Sequence, residues 1–418
     1  MSENHGILIV GGGFAGAWAA AAATRAVRAA GARHPVTLVA PHDDLVIRPR
    51  LYEAAPHRMQ VPLDRFLSPI GVRRVKATVT GVDTAARSVT ARTPDGAEAR
   101  WPYERLVLAT GSRLTAPRVP GAEHAHAVDT MEAAVALDAH LRALPDGPAT
   151  AGRYTAVVVG AGFTGLEVAT ELVTRLRAIA APQGARDEVR VVLVDRGGSV
   201  GLGAGPRAVI EGALRELGVV TRMSVTPVEV GRDGVRLSDG SRIPARTVVW
   251  TAGVEADGVA ASLPGARDGL GRVKVDPYLR VGGVDGVYAA GDVAAAVVED
   301  GHLTMPSCQH AIPMGKYAGH NAAADLLGGS PAAFAPKGYV TCLDLGAAGA
   351  VFTTGYERRV ELTGAEAKAR KRLITERWIW PPLDDAGRIL EEADHLVLTG
   401  GRRVSPTPAR SVQAFREG

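Results

Sequence analysis

The stretch ILIVGGGFAG, residues 7–16, runs an apolar segment into Gly11, Gly13 and Gly16 at the spacing G-x-G-x-x-G. Such a pattern describes a strand turning sharply into a helix. The first glycine permits the tight turn, the second lets backbone approach a pyrophosphate, and the third lets helix and sheet pack closely. N–H groups at the helix start then face the negative charge. Phe14 and Ala15, inside the turn, are counted with the glycines as cofactor-binding positions. Alone, the match also fits a bulge or a simple turn, but the following AGAWAAAAATRAVRAA reads as the helix that a dinucleotide site requires.

A second copy lies at residues 154–179, YTAVVVGAGFTGLEVATELVTRLRAI, with Gly160, Gly162 and Gly165 at the same spacing and Phe163 and Thr164 between them. Two such units predict two bound dinucleotides, or one dinucleotide and a duplicated scaffold. The first alternative has chemistry attached, since a nicotinamide and a flavin placed ring to ring exchange a hydride.

With 418 residues the chain has room for two or three domains. Its 50 glycines and 46% hydrophobic residues fit a glycine-rich α/β enzyme rather than disorder or a coiled coil. A net charge of +4, from 48 basic and 44 acidic residues, does not imply a nucleic-acid partner. Two cysteines, Cys308 and Cys342, are too few for a disulfide framework, and no C-x-x-C spacing marks a redox pair. No metal site is assigned. The first apolar segment lacks a basic leader and belongs to the nucleotide fold, so neither a signal peptide nor a membrane span is expected. A cytoplasmic location is the consequence, with peripheral attachment to the inner face of a membrane left open. Oligomeric state is also left open.

Along the chain, the first helix should end near Gly31, and VTLVA at 36–40 reads as a second parallel strand. Ala40 stands at its end, where an acid for the adenosine ribose is expected. Asp43 or Asp44 then becomes the candidate, unless both only solvate the loop. RPRLY, 48–52, leaves the sheet. VRRVKATVTGVD and RSVTARTPDG read as an inserted hairpin. A buried strand in RLVLATGSRLTAPRVPG ends at Ala109, Thr110 and Gly111, and Pro117 to Gly121 marks a crossing into the second unit. A helix is predicted over 129–144. In the second copy, Glu167 serves the helix dipole or faces a nicotinamide. The strand VRVVLVDR ends at Asp195, suited to a ribose of NADH, and Arg196, suited to the 2′-phosphate of NADPH. An amphipathic helix from 205 ends at Gly218, two strands follow in VEVGRDGVRLSDGSRI, and TVVWTAGV repeats the strand-to-glycine ending at Gly253. In VDGVYAAGDVAA, Gly291 and Asp292 precede an alanine-rich helical start. Asp292 either caps that helix or accepts a ribityl hydroxyl.

Taken together, Gly11-x-Gly13-x-x-Gly16, ATG at 109–111, Gly160-x-Gly162-x-x-Gly165-x-Glu167, WTAGV at 250–254, GVYAAGD at 286–292 and CQHAIPMG at 308–315 resemble the type II NADH dehydrogenases over residues 6–345. These are single-subunit flavoproteins of the two-dinucleotide-binding superfamily. The resemblance implies FAD in the first nucleotide domain, NADH in the second and a quinone beside the flavin. It would place Gly11, Gly13, Gly16 and Asp292 on FAD, Glu167 beside the nicotinamide, and Gln309 with Ala311 at the flavin and quinone edge. Departures are Ala40, Arg50 within Pro49-Arg50-Leu51, and Cys308 before Gln309. Arg50 either approaches the isoalloxazine, favouring an anionic ring or acceptor, or pairs with Glu53.

The expected fold is α/β, with two Rossmann-like three-layer nucleotide-binding domains, the second inserted into the first, and a smaller C-terminal domain. The boundaries are 1–116 and 270–335 for the FAD-binding domain, 117–269 for the NAD(P)H-binding domain and 336–418 for the C-terminal interface domain and tail. Within the latter, Leu373, Ile374, Trp378, Ile379 and Trp380 reach a bilayer interface while Lys368, Arg370, Lys371 and Arg372 meet anionic lipid, or the aromatics pack inward and the basic side is solvated. Residues 400–418 read as a loosely ordered tail. The functional expectation is an FAD-dependent oxidoreductase taking hydride from NADH, with NADPH left open, and passing electrons to a small-molecule acceptor such as a quinone. Alternatives are a soluble flavoenzyme acting on a small metabolite or electron carrier, and a non-catalytic NAD(P)H-binding sensor.

Overall fold

A computed structural model describes residues 5–336 and 338–398; the 400–418 tail lies outside the described residues. The first sheet has five parallel strands in the spatial order Val287–Ala289, Arg105–Leu108, Ile7–Val10, Val36–Ala40 and Arg73–Lys76. Ile7 stands opposite both Val36 and Arg105. The central strand is apolar at every position because helices and loops cover both faces of the sheet.

The fingerprint helix Phe14–Ala29 crosses the Cys308–Leu326 helix at very short range. A Cβ on Gly315 would lie 2.2 Å from Ala15 O, and one on Gly319 would lie 2.1 Å from Ala19 O. That approach is the physical reason for the alanine run from Ala19 to Ala23, since larger side chains would separate the helices.

A second parallel sheet carries the strands Val220–Met223, Arg190–Asp195, Thr155–Val159 and Thr247–Trp250 in that order. All four fall in the chain between two neighbouring strands of the first sheet, so one nucleotide-binding unit interrupts the other. Outgoing and returning segments pair as a two-stranded antiparallel link, Ser112–Leu114 with Val254–Ala256.

Two local expectations are corrected. Arg73–Lys76 is no part of an inserted hairpin: it joins the main sheet beside Val36–Ala40. The insertion is instead a three-stranded antiparallel sheet of Thr78–Asp83, Ser88–Arg92 and Glu98–Pro102. Likewise the segment after Gly218 forms three strands, Pro227–Gly231, Gly234–Leu237 and Arg242–Pro244. In both cases the third strand ends in a proline and is exposed at alternate positions, Glu98–Pro102 and Arg242–Pro244.

The chain then forms an antiparallel sheet, Val340–Asp344, Ala350–Thr354 and Arg359–Thr363, followed by the helix Gly364–Leu373 and a wider π-helical turn at Ile374–Trp378. This sheet rests on the second fingerprint helix, Phe163–Ala180, where a Cβ on Gly346 would lie 2.7 Å from Thr170 O. Among the described residues, no helix is long and apolar enough to cross a membrane.

Candidate functional site

Both glycine turns open onto one continuous cleft of about 1720 Å³. In the first turn a Cβ on Gly16 would lie 1.9 Å from Gly11 O, and in the second a Cβ on Gly165 would lie 1.7 Å from Gly160 O. Only glycine permits either helix to start that close to its strand. A Cβ on Gly13 or Gly162, in contrast, would meet no heavy atom within 4 Å, and both residues face the open cleft. Both helices begin without a side-chain cap, so their first N–H groups are available to a phosphate. Phe14, Ala15, Ala109, Thr110 and Gly111 line the cleft near the first turn, and Thr110 Oγ1 is buried there without a partner. Phe163, Thr164 and Gly253 line it near the second. The uncapped helix starts, the open glycine faces and the orphaned hydroxyl fit two dinucleotides, one on each turn.

Asp292 lines the same cleft with Gly291. No long helix follows it: Gly291–Val293 is one 3₁₀ turn that runs into the extended pair Ala294–Ala295. The neighbouring helix start belongs to Cys308–Leu326, and Asp292 Oδ1 accepts the Ser307 N–H at 3.1 Å, just before it. Ser112 Oγ donates to Asp292 Oδ2 at 2.9 Å, and Arg48 Nη1 lies 3.8 Å away. Arg48 also bonds Asp129 and Ser112 O. Sequence reasoning missed Arg48 because attention fell on Arg50, two residues on. Arg50 pairs bidentately with Glu53, at 2.8 and 2.7 Å, and does not line the cleft. The RPRLY stretch reaches the cleft through Arg48, Pro49 and Tyr52.

Glu167 is buried one turn into the second fingerprint helix. Its Oε1 accepts Lys371 Nζ at 2.6 Å and the Asp344 N–H at 3.1 Å. Lys371 also donates to Cys342 O at 3.1 Å, and its Nζ lies 6.0 Å from the Tyr52 ring centroid. Burial lifts the Glu167 carboxyl above its ordinary range, against the pull of Lys371. For Lys371 burial works against the charge, yet Glu167 outweighs it and the ammonium is held above its ordinary value. Lys368 pairs with Asp344 at 2.5 Å. The expectation that Lys368 and Lys371 meet lipid or solvent is therefore corrected: two carboxylates beneath the helix draw them inward. Arg370 and Arg372 remain exposed, with Leu373 and Trp378 beside them, while Ile379 is buried.

Gln309 and Ala311 line the cleft from the Cys308–Leu326 helix. With its amide oriented to satisfy both groups, Gln309 donates to Val340 O at 2.7 Å and accepts the Val340 N–H at 3.2 Å. It thereby ties the helix to the edge of the C-terminal sheet. Cys308 and Cys342 are both free thiols. Burial pushes each up to about 11.

Asp195 ends its strand as expected, but both carboxylate oxygens already accept backbone N–H groups, Ala161 at 2.7 Å and Gly197 at 2.6 Å. Each oxygen keeps a lone pair for a ribose hydroxyl. Arg196 is exposed beside it, and neither residue lines the cleft. Ala40 lines the cleft at the end of its strand together with Asp43 and Asp44, and Asp43 is also engaged by Arg74 and Lys76.

Residues 5–315 match the family model described as pyridine nucleotide-disulphide oxidoreductase. The chain belongs to this family. It is an NAD(P)H oxidoreductase of the NADH dehydrogenase-like kind. An NADH dehydrogenase-like protein of Mycobacterium tuberculosis is 46% identical over 410 residues, covering 96% of this chain and 99% of that protein. The type II NADH:quinone oxidoreductase NdhA of the same organism is 29% identical over 327 residues, covering 70% of this chain and 67% of that one. The structure of NDH2 from Plasmodium falciparum in complex with NADH superimposes with a TM-score of 0.76 at 12% identity, covering 90% of this chain and 95% of the other. That last likeness establishes the shared fold.

Proposed function

We propose that this family member oxidises NADH through a bound FAD and delivers the electron pair to a quinone-like acceptor. The observation that carries this reading is the meeting, in one cleft, of both glycine turns with Glu167, Lys371 and Gln309. When bound, the flavin accepts hydride from the nicotinamide and releases electrons to the acceptor. The protein aligns the partners and excludes water, so no side-chain nucleophile is required. The first glycine turn, Thr110 and Asp292 hold the flavin nucleotide. The second turn holds the nicotinamide nucleotide, with Asp195 taking its ribose and disfavouring a 2′-phosphate.

Glu167 and Lys371 share one buried hydrogen bond at the wall between the two sites. They can hold a proton close to the reacting rings without exposing them to bulk water. Gln309 supports the acceptor side through its bonds to Val340. Arg50, committed to Glu53, has no part in the acceptor step.

Purified protein should be yellow and release FAD on denaturation. Stopped-flow reduction should favour NADH over NADPH, and the reduced enzyme should be reoxidised by a short-chain quinone. Gln309→Ala, which removes both bonds to Val340, should loosen the acceptor side, slow that reoxidation severalfold and leave reduction by NADH nearly unchanged. Arg50→Ala should leave both half-reactions near the parent rates. Quinone reoxidation no faster than that by dissolved oxygen would remove the quinone from this reading.

A further inference from the structure

The turn between the strands Ala350–Thr354 and Arg359–Thr363 carries Arg358 at φ 51°. Its guanidinium lies 5.4 Å from the Phe163 ring centroid. Phe163 is the first residue of the second fingerprint helix and lines the cleft. The turn also closes on the start of the helix Ala204–Leu217, where a Cβ on Gly205 would lie 2.4 Å from Arg358 O. Arg207 sits in the first turn of that helix. The Nε atoms of Arg207 and Arg358 are both buried without a hydrogen-bond partner. The adjacent Arg359, by contrast, is paired with Glu361 at 2.9 Å.

Two half-buried arginines whose Nε donors have no acceptor, beside a helix start that has no cap, describe a place suited to an anion. We propose that Arg358, backed by Arg207, is a phosphate clamp that the C-terminal sheet extends over the second dinucleotide site to grip the pyrophosphate of the nicotinamide nucleotide. This rests on the reading that such a nucleotide occupies the second glycine turn. The face of Phe163 orients the guanidinium before the ligand arrives, and the planar fork matches two phosphate oxygens. The pyrophosphate is favoured over a 2′-phosphate because Phe163 begins the helix whose N–H groups face the former, whereas Arg196 stands at the strand end that meets the latter. NADH and NADPH should therefore depend on Arg358 equally.

The test is calorimetric titration of the FAD-loaded enzyme with ADP-ribose, which carries the pyrophosphate, and with adenosine, which does not. Arg358→Gln should weaken ADP-ribose binding roughly ten- to hundredfold and change adenosine binding less than twofold, with flavin content and melting temperature near the parent's. Arg207→Gln should give a smaller loss with the same selectivity, and Arg359→Gln should bind both ligands as the parent does. ADP-ribose affinity within twofold of the parent in Arg358→Gln would overturn the clamp, as would an equal loss for both ligands. Should Arg358→Gln fail to hold FAD, Arg358→Lys carries the test: loss of the fork should cost ADP-ribose roughly three- to tenfold, and unchanged affinity would overturn the clamp. Parent enzyme that binds no ADP-ribose would overturn the second nucleotide site itself, and the clamp with it.

Discussion

At 2.6 Å the Lys371 ammonium and the Glu167 carboxylate form a buried pair, and each makes the other's burial tolerable. Removing one partner from such a pair leaves an uncompensated charge, at a cost of about 3–5 kcal/mol. Lys371→Met should incur that penalty in a pH-dependent way. Burial already raises the Glu167 carboxyl, and loss of Lys371 raises it further. A carboxyl whose folded pKa lies above its unfolded value holds its proton more tightly when folded, so stability falls as pH rises from about 4.5. The melting temperature of Lys371→Met should therefore trail the parent's by more at pH 8 than at pH 5, and adding Glu167→Gln should recover most of the difference. An equal deficit at both pH values would show that Glu167 does not feel Lys371. Neither this pairing nor that of Lys368 was legible in the basic run KARKR. A charge run looks the same whether it is wetted or drawn onto carboxylates from distant segments of the chain.

At the scale of elements, the crossing of Phe14–Ala29 with Cys308–Leu326 joins stability to cofactor binding. Ala15 belongs to the first glycine turn and packs directly on Gly315. Gly315→Ala should push the helices apart at a cost of about 1–3 kcal/mol. Because the displaced residue lies in the turn, the variant should also lose FAD on gel filtration. Gly212→Ala is the matched control, in the middle of Ala204–Leu217 with no heavy atom within 4 Å of the added carbon. It should instead stabilise by roughly 0.5–1 kcal/mol, from helix propensity and unfolded-state entropy. Thermal melts of the two variants should move in opposite directions, and a stabilised, flavin-replete Gly315→Ala would refute the close crossing. The alanine run announced a helix, but not its partner, because small residues say that something approaches and not what.

For the whole molecule, the family description includes disulphide chemistry, and the two cysteines of this chain stand unpaired. Cys308 and Cys342 are free, and burial pushes both thiols up to about 11, far from the thiolate form that exchange requires. Anaerobic titration with NADH should consume one two-electron equivalent per FAD, with no second equivalent entering a disulfide. Alkylation of the folded enzyme at neutral pH should be slow and should leave turnover intact until the protein unfolds. A second equivalent per flavin would establish a redox-active cysteine.

The sequence by itself determined the two nucleotide-binding units, their glycine turns and the insertion of one into the other. Those features depend on short-range rules: Gly16 and Gly165 are required because a Cβ there would strike the carbonyl oxygen of Gly11 or Gly160, five residues earlier. The family resemblance carried by the motifs also pointed to Glu167, Gln309 and Asp292, and all three line the cleft. Tertiary structure alone decided that Lys371 neutralises Glu167, that Arg48 rather than Arg50 reaches Asp292, that Gln309 holds Val340, and that Arg358 comes to rest on Phe163. Every one of those contacts joins segments far apart in the chain, and which charge meets which is settled only when burial forces each polar group to find a partner.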